Sequence, residues 1–476
     1  MNRKPGSHNL KDSYSPADAG FSVLAEPIAA LATAPGAAAI AVIRMSGNGT
    51  LHLIETLLQR RSRSAPRVMA MAKFIHPETQ ETLDELMVAT FVGPASFTGE
   101  DSAELFCHGG PYIVQRILQT LFAFGFRQAD PGEFTRRAFL NGKMDLSSAE
   151  GIKQLVEAGT HQQWIAARQL ATGSFSETIE ELRSRLIGTL AFLAARIDFP
   201  DEGDTQDVAL ETVIHKVRQV SSQLDKLEAS YQSGRIAAQG LMVAIIGQPN
   251  MGKSTLMNTL LGHDRAIVSE KAGTTRDYLE EPCRVRGRLI RLIDTAGVRE
   301  TKDTIEKQGV EKAKKLAAEA DLVLLLVGRD ADDAAYKEME SLAHEIGESK
   351  CLLVQTKADL KATSKKLALS EKNFVSISCL QSQGLEQLED EIVRRVDGFV
   401  GTLDEKPFVS SARHLAAIIE AKSFLDQFYE GVESGAYDEM LAFELQNASR
   451  ALGSILGVVD VEDILDKVFH EFCVGK

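Results

Sequence analysis

The sequence lacks the features that mark several protein classes. Among its 476 residues, no apolar run approaches the roughly 20 residues that a membrane-spanning helix needs. Residues 1–20 are polar and have no apolar core of a signal peptide, so we expect a disordered extension there. The five cysteines are scattered and form no Cys-x-x-Cys pair, which argues against structural zinc and indicates a reducing compartment. These absences predict a globular cytoplasmic protein that makes no contact with a membrane.

The sequence also has fewer positive than negative charges. The formal net charge is −14, and nonspecific binding to nucleic acid depends largely on an excess of Lys and Arg. Any RNA contact must therefore be local or shared with a partner. Local basic clusters occur in three places, and a solvated helix or strand face is the more ordinary interpretation of each. The clusters are Arg60, Arg61, Arg63 and Arg67; Arg136 and Arg137; and Arg284, Arg286, Arg288 and Arg291.

The pattern along the chain predicts about three domains, each with its own core. Residues 21–141 alternate short β-rich runs with turn signals and include one helical run, which predicts an α+β domain. Long helical periodicity covers 142–237 and returns over 403–476, whereas 238–402 alternates apolar runs with helical patterns. We interpret the α/β part as a domain inserted into one helical domain at an exposed loop. Two separate helical units would give the same pattern.

The most informative motif follows the apolar run from Leu241 to Ile246. Residues 247–254 read Gly-Gln-Pro-Asn-Met-Gly-Lys-Ser and open a helical segment. Two glycines let the backbone curl so that its N–H groups point at phosphate oxygens, while Lys253 supplies a positive charge and Ser254 a hydroxyl for magnesium. The motif predicts a phosphate-binding loop. Its contact residues are Asn250, Met251, Gly252, Lys253, Ser254 and Thr255.

Further motifs lie at predicted strand ends, where a doubly wound sheet gathers its ligand contacts. Their order resembles that of the guanine-nucleotide-binding GTPases. Thr275 would complete the magnesium shell, and Asp294 would hold a magnesium-bound water. Asp359 can accept hydrogen bonds from both N1–H and the 2-amino group of guanine, which favours GTP over ATP. The other contact residues of this pattern are Thr274, Thr295, Ala296, Gly297, Thr356, Lys357, Ser378, Cys379 and Leu380.

Two departures from the GTPase pattern bear on mechanism. Thr356 stands where Asn is usual, and a hydroxyl can bridge neighbouring loops, though less well. Val298 stands where many GTPases place a glutamine that orients the attacking water, so hydrolysis needs another arrangement. Asn250 is a candidate ligand for potassium, which could offset charge at the phosphates, and Glu306 could orient the water. Alternatively, Glu306 is a solvated carboxylate on a helix face.

Motifs outside the nucleotide site make the resemblance more specific. In order and spacing they resemble the MnmE (TrmE) family of tRNA modification GTPases, over nearly all of the chain after residue 20. They include residues 35–47, residues 96–110, residues 131–143 (PGEFTRRAFLNGK), residues 198–202 (DFPDE) and residues 472–476 (FCVGK).

The resemblance implies a multidomain homodimer. It has an N-terminal α+β domain that binds a tetrahydrofolate derivative (21–141), an all-α helical domain (142–237 and 403–476) and an inserted α/β P-loop GTPase domain (238–402). With an FAD-dependent partner, MnmG (GidA), such a protein forms a heterotetramer. That complex adds a carboxymethylaminomethyl-type group at C5 of the wobble uridine of certain tRNAs, using a folate-borne one-carbon unit. GTP hydrolysis would be stimulated by potassium-dependent pairing of two GTPase domains. A ribosome-assembly GTPase and a regulatory GTP switch without a modification role are the alternatives.

The resemblance also implies roles for individual residues. The catalytic set would be Glu306, Lys253, Asn250 and Cys473. Cys473 lies three residues from the end, where an extended tail could deliver it to a neighbouring subunit's site; alternatively it is a small buried residue beside Phe469 and Phe472. A carboxylate and cations suit a folate's ring and glutamate tail. The folate positions are Arg44, Glu104, Lys143 and Lys476; those of potassium are Asn250, Ser269, Lys271 and Thr274; those of magnesium are Ser254 and Thr275.

Overall fold

The structure is a computed structural model that divides into two compact units, Met1–Glu150 with Leu456–Lys476, and Gly151–Ile455. It describes residues 26–59, 65–198, 203–263, 280–294, 315–361, 373–401, 406–458, 465, 468–469 and 472–475. The side chains of 195, 196, 198, 203–209, 263 and 294 are not part of this description. The extension expected at residues 1–20 lies outside it. Over the described residues, every helix is too short or too polar to cross a membrane.

The first unit is an α+β structure, as the alternation of strand and turn signals predicts. Its strands are β1 Ile28–Leu31, β2 Ile40–Ser46, β3 Leu58–Gln59, β4 Ala70–Ile75, β5 Thr82–Phe91, β6 Ser102–His108 and β7 Arg127–Gln128. They form one seven-stranded sheet in the order β3-β4-β5-β6-β2-β1-β7, antiparallel except for the parallel pair β1 and β7. Along β5 the residues from Asp84 to Val88 alternate between buried and exposed, because one sheet face carries the core. Helices α1 (Thr50–Leu57) and α2 (Pro111–Ala123) cover that face.

The end of the chain belongs to this first unit. Helix α3 (Glu133–Leu140) begins after Gly132, whose backbone N–H donates to the carbonyl of Cys473 at 3.3 Å. Pro131 and Val474 form a β-bridge. Gly132 has φ 70°, and a Cβ there would lie 2.7 Å from the carbonyl oxygen of Phe469, so only glycine fits both the turn and the neighbouring chain.

The second unit begins with long helices, as the periodicity predicts. Before the second sheet these are α5 His161–Ala171, α6 Ser174–Asp198, α7 Gly203–Ala229 and α8 Tyr231–Gln239; α4 Leu146–Glu157 leads into them from the first unit. Two further helices, α12 Ala412–Ser434 and α13 Asp438–Leu456, follow that sheet. Helix α12 packs against α7, where Lys422 binds Asp225 and Glu228 at 2.6 and 2.5 Å. Helices from before and after the sheet therefore contact each other.

The second sheet is doubly wound. Its strands are β8 Leu241–Gly247, β9 Glu280–Val285, β10 Arg288–Asp294, β11 Leu322–Gly328, β12 Cys351–Thr356 and β13 Phe374–Ser376, and its helices are α9 Lys253–His263, α10 Asp333–Ile346 and α11 Leu385–Val400. The order is β13-β12-β11-β8-β10-β9, parallel except for β9. Because β8 lies between β11 and β10, the strand order reverses there, and the ligand crevice of such a sheet lies at the carboxyl end of β8.

The basic clusters are mostly engaged in ion pairs. Arg137 is 1% exposed and binds Glu133 at 2.8 Å and Glu100 at 3.1 Å, so the interpretation as a solvated face is wrong for this residue. Burial favours such pairing because an unpaired charge inside a protein is costly. Arg286 and Arg288 bind carboxylates of α11 at the surface. Residues 60, 61 and 63 lie outside the described residues.

Candidate functional site

The loop between β8 and α9 has the backbone that a phosphate site needs. Asn250 and Gly252 have positive φ angles of 64° and 86°, which turn successive N–H groups toward one side of the loop. Gly247 is fixed by packing, since a Cβ there would lie 2.7 Å from the carbonyl oxygen of Leu326 on β11. Helix α9 then starts at Lys253 and presents the unpaired N–H groups of its first turn. The loop and the helix end together form a cradle for an anion.

The polar side chains of the loop are placed for phosphate and metal. The ammonium of Lys253 donates to the carbonyls of Gly247 and Gln248 at 2.7 and 3.0 Å, so it lies across the loop. Ser254 and Thr255 in the first turn of α9 are exposed, as is Asn250. A free hydroxyl beside this anion cradle fits a magnesium ligand, because magnesium takes oxygen donors together with substrate phosphates.

Thr356, the departure from the usual Asn, joins the end of β12 to the loop at residues 247–254. It ends β12, is 3% exposed, and its hydroxyl donates to the carbonyl of Met251 at 2.8 Å. The backbone N–H of Gly328 lies 3.1 Å from the sulfur of Met251, so β11 reaches the same residue. The hydroxyl therefore bridges neighbouring loops, as expected from the sequence.

The residues predicted to contact guanine form a second polar cluster at the ends of β12 and β13. Asp359 is exposed, and its carboxylate accepts a hydrogen bond from the Ser378 hydroxyl at 2.6 Å. This bond holds the pKa of Asp359 below its usual range, so the group stays a charged acceptor. Lys357 has φ 58° and binds Asp330 at 3.0 Å, while Leu380 is 85% exposed. Cys379 is partly buried, and burial raises the pKa of its thiol.

Several predicted site residues lie outside the described residues. Asp294 is placed only as the last residue of β10, opposite Ile245 of β8. The predicted nucleotide, magnesium, potassium and hydrolysis residues between α9 and β9 and between β10 and β11 lie outside the described residues. They are Ser269, Lys271, Thr274, Thr275, Thr295, Ala296, Gly297 and Glu306.

A second candidate site lies in the first unit. Arg44 on β2 and Glu104 on β6 face each other in register, and their side chains form an ion pair at 3.0 Å. The Arg44 guanidinium lies 5.4 Å from the ring centre of Phe97 and 5.8 Å from that of Phe134. These four side chains line a cavity of about 70 Å³ together with Phe91, Thr98 and Ser102. Aromatic walls with one cation and one carboxylate suit a flat heteroaromatic ring, although the volume is below the roughly 300 Å³ of ordinary ligand pockets.

The loop that carries Phe97 and Thr98 is held from two sides. Lys143 is exposed; its ammonium donates to the carbonyl of Pro94 at 2.9 Å. On the buried side, Ser46 lies 2.6 Å from the Thr98 hydroxyl and donates to Glu100 at 2.8 Å. Glu100 in turn binds the buried Arg137, so this charged network fixes one wall of the cavity.

Cys473 is exposed, so the alternative of a small buried residue is wrong. Its neighbour Phe472 is 1% exposed and anchors the tail, together with Phe469. Gly475 lies against the end of β1, where a Cβ would come 2.2 Å from the Leu31 carbonyl oxygen. Lys476 lies outside the described residues.

Sequence reasoning missed the aromatic walls of the cavity and its support. Phe97 and Phe134 lie within the segments 96–110 and 131–143 that carry the family resemblance. Glu100 and Arg137 lie in the same segments. A signal was present in the sequence, since each phenylalanine stands in a polar motif, but only the folded sheet brings the two rings to one guanidinium.

Comparisons with known proteins cover nearly the whole chain. A family model described as the MnmE helical domain matches residues 146–473, and one described as the GTP-binding protein TrmE N-terminus matches residues 27–143. Three relatives carry the name tRNA modification GTPase MnmE. That of Thermoanaerobacter sp. (strain X514) is 37% identical over 460 residues, covering 95% of this chain and 99% of the relative. Those of Aquifex aeolicus and Moorella thermoacetica are 39% and 38% identical, covering 95% of this chain and 100% of each relative.

A solved structure, the G domain of the T. maritima FeoB iron transporter, matches 33% of this chain and 98% of its own length at 27% identity. The TM-score is 0.24, and a score this low supports no conclusion.

Proposed function

The chain belongs to the MnmE family of tRNA modification GTPases, and on that premise we propose that it binds and hydrolyses GTP as part of a tRNA wobble-uridine modification complex. The observation that carries the proposal is the match to relatives of that name at 35–39% identity over 95% of the chain. The geometry of the loop at residues 247–254 supports the GTPase part. A ribosome-assembly GTPase or a pure regulatory switch would not need the aromatic cavity of the first unit.

The nucleotide site works through positioning. The N–H groups of the loop and the first turn of α9 bind the β- and γ-phosphates, and Lys253 leaves its loop carbonyls to neutralise them. Asp359, held by Ser378, accepts the N1–H and 2-amino hydrogens of guanine. Thr356 keeps the two loops in register, so that base and phosphates are bound by one rigid frame.

Metal ions complete this site in the proposal. The Ser254 hydroxyl and Thr275 would hold magnesium, which would neutralise charge at the phosphates. Potassium is assigned to Asn250, Ser269, Lys271 and Thr274, and Glu306 is proposed to orient the attacking water. The exposed Asn250 side chain at a positive φ angle is compatible with that role.

The first unit is proposed to bind a tetrahydrofolate derivative. Glu104 would accept a bidentate pair from the ring N–H and amino group, Arg44 would stack and donate, and Phe97 and Phe134 would cover the ring faces. Lys143 and Lys476 would bind the glutamate tail, and the exposed thiol of Cys473 is the proposed reactive group. Homodimer formation, the FAD-dependent partner MnmG in a heterotetramer, C5 carboxymethylaminomethylation and a cytoplasmic location are proposed on family membership alone.

One titration tests the two sites together. We expect the pure protein to bind a guanine nucleotide and a reduced folate at two independent saturable sites by calorimetry. Glu104→Gln should abolish folate binding and leave nucleotide affinity unchanged, whereas Asp359→Ala should do the reverse. A protein that binds nucleotide but no folate would favour the alternatives, and normal wobble uridine in the tRNA of a deletion strain would refute the modification role.

A further inference from the structure

A groove along α7 is lined by an unusual set of side chains. Six of them lie at helical spacing i, i+3, i+4, i+7, i+8 and i+11 and form one exposed stripe, which we call the α7 stripe. The residues are His215, Arg218, Gln219, Ser222, Gln223 and Lys226. Arg185 of α6 forms the opposite wall. The stripe is about 16 Å long at 1.5 Å per residue, and the groove encloses about 320 Å³.

The groove is cationic in a chain with a net charge of −14. Its lining includes Arg185, Arg218 and Lys226 but no carboxylate among the described residues. Neither Arg218 nor Lys226 has an ion-pair partner within the part of the chain that the structure describes. The nearby carboxylates are accounted for: Glu181 binds Arg185 at 2.5 Å, and Asp225 and Glu228 bind Lys422 on the α12 side of the helix. Glu211 is exposed one turn before His215 and outside the lining.

The other faces of α7 explain why this stripe is free. Leu224 and four valine or leucine residues at its apolar positions are buried, and the face with Asp225 and Glu228 packs toward α12. The stripe lies outside this buried set: five of its members are exposed, Gln223 is half-buried, and the Gln219 amide nitrogen lies 2.9 Å from the His215 ring Nε2. Its polar neutral members, Gln219, Ser222 and Gln223, carry amide and hydroxyl groups that donate hydrogen bonds.

This chemistry fits a sugar–phosphate backbone better than a protein. Most protein–nucleic acid hydrogen bonds run from Arg, Lys, Ser and Gln to phosphate and sugar oxygens. Protein-binding surfaces instead have an apolar core enriched in aromatic residues, and the groove lining contains neither aromatic nor aliphatic side chains. We propose that the groove between α6 and α7 binds the phosphodiester backbone of the tRNA substrate; this inference rests on the proposed function.

The test is a binding titration of the full chain with a fluorescently labelled tRNA transcript that carries a wobble uridine. Anisotropy is followed between about 50 and 200 mM salt, because the slope of log K against log salt counts the phosphate contacts. The variant Arg218→Gln with Lys226→Gln removes two charges and keeps polar side chains that favour a helix. The matched control, Lys337→Gln with Lys406→Gln, removes the same charge from two exposed lysines outside the groove.

The groove variant should bind tRNA at least about tenfold more weakly at the lowest salt, with a slope smaller by about 2. The control should bind as wild type, and both variants should hydrolyse GTP at the wild-type rate, which verifies folding. An unchanged slope in the groove variant, an equal loss in the control, or no binding by wild type would overturn the inference. Competition by polyglutamate as effective as by unlabelled tRNA would overturn it in favour of an acidic protein partner.

The two failures can be told apart in cells. If a deletion strain lacks the wobble modification while the groove variant binds tRNA like wild type, only the groove is wrong. If the deletion strain has normal wobble uridine, the proposed function is wrong whatever the titration gives.

Discussion

Replacing Thr356 by valine should weaken the nucleotide site, because its hydroxyl links β12 to the loop at residues 247–254. Valine has nearly the same shape, so the change removes the hydroxyl and with it the hydrogen bond to the Met251 carbonyl at 2.8 Å and the longer one to the Val327 carbonyl at 3.5 Å. Thr356 is 3% exposed, and its side chain lies 3.9 Å from where a Cβ on Gly252 would be. The substitution therefore removes a buried link between β12 and the phosphate loop and leaves the packing intact.

The magnitude follows from the chemistry of that link. A neutral hydrogen bond contributes about 0.5–1.5 kcal/mol, and a buried carbonyl left without a partner costs about 1–3 kcal/mol. Valine offsets part of this through its buried methyl group, so we expect a loss of about 1–2 kcal/mol in the free energy of unfolding. Because the loop is then held less firmly, the dissociation constant for GDP should rise by up to about 5–30-fold.

Two measurements and two control variants test this prediction. Unfolding by urea gives the stability, and titration with a fluorescent GDP analogue gives the affinity. Thr356→Ser retains the hydroxyl but loses a buried methyl group, so it should cost up to about 1 kcal/mol of stability and leave the GDP affinity near the wild-type value. Thr172→Val, whose exposed hydroxyl donates to its own helix at 2.9 Å, should stay within about 0.5 kcal/mol of wild type. If valine at 356 binds GDP like wild type, or serine fails as badly as valine, the bridging role of the hydroxyl is refuted.

Two further predictions concern the first unit and the thiols. In the folded protein at pH 8, one cysteine should react fast with a thiol reagent, and Cys473→Ala should abolish that fast phase. Burial raises the pKa of Cys107 and Cys351 to about 11 and that of Cys283 to about 12. These three thiols therefore stay protonated, and slow to react, below that range. Two fast thiols, or an unchanged fast phase in the variant, would contradict this. Arg137→Met should destabilise the first unit by up to about 3–5 kcal/mol, because Glu100 loses its ion pair in a largely buried setting, whereas Glu133 keeps its ion pair with Arg127 at 2.5 Å. Adding Glu100→Gln should recover part of that loss in thermal unfolding, and a single variant as stable as wild type would contradict the assignment.

The sequence predicts the second sheet well because its strands are continuous apolar runs. Leu241–Gly247 and Leu322–Gly328 are buried over nearly their full length, and such runs in a parallel sheet need no alternation to be recognised. The phosphate loop follows β8 as its spacing indicates. The bridge from Thr356 to Met251 could be anticipated only as a possibility, since the two residues are 105 positions apart and only the folded domain brings the two loops together.

The sequence predicts that the first unit is α+β, but it does not predict the geometry of the site there. Arg44 and Glu104 are separated by 60 residues, and only the register of β2 with β6 makes them opposite each other. Arg137 lies in a motif with two adjacent arginines, so its sequence resembles a surface cluster. Its burial follows from carboxylates supplied by Glu133, one turn before it, and by Glu100, 37 residues earlier. The contact with Glu133 can be expected from its position one helical turn away, whereas the contact with Glu100 cannot be predicted from the sequence.

The acidic composition and a tRNA substrate are compatible if cations are concentrated where RNA binds. Overall negative charge repels polyanions at long range, and salt screens that repulsion beyond about 8–10 Å. Counterion release depends on the number of phosphates that are contacted, not on the total charge. A stripe with Arg218 and Lys226 in its lining, and carboxylates turned to Lys422 on another side of α7, gives local attraction on a repelling surface. The negative surface elsewhere should repel RNA, so binding should be confined to this groove. The affinity for tRNA should therefore fall more when the charges of Arg218 and Lys226 are removed than when any other exposed pair of positive charges is removed.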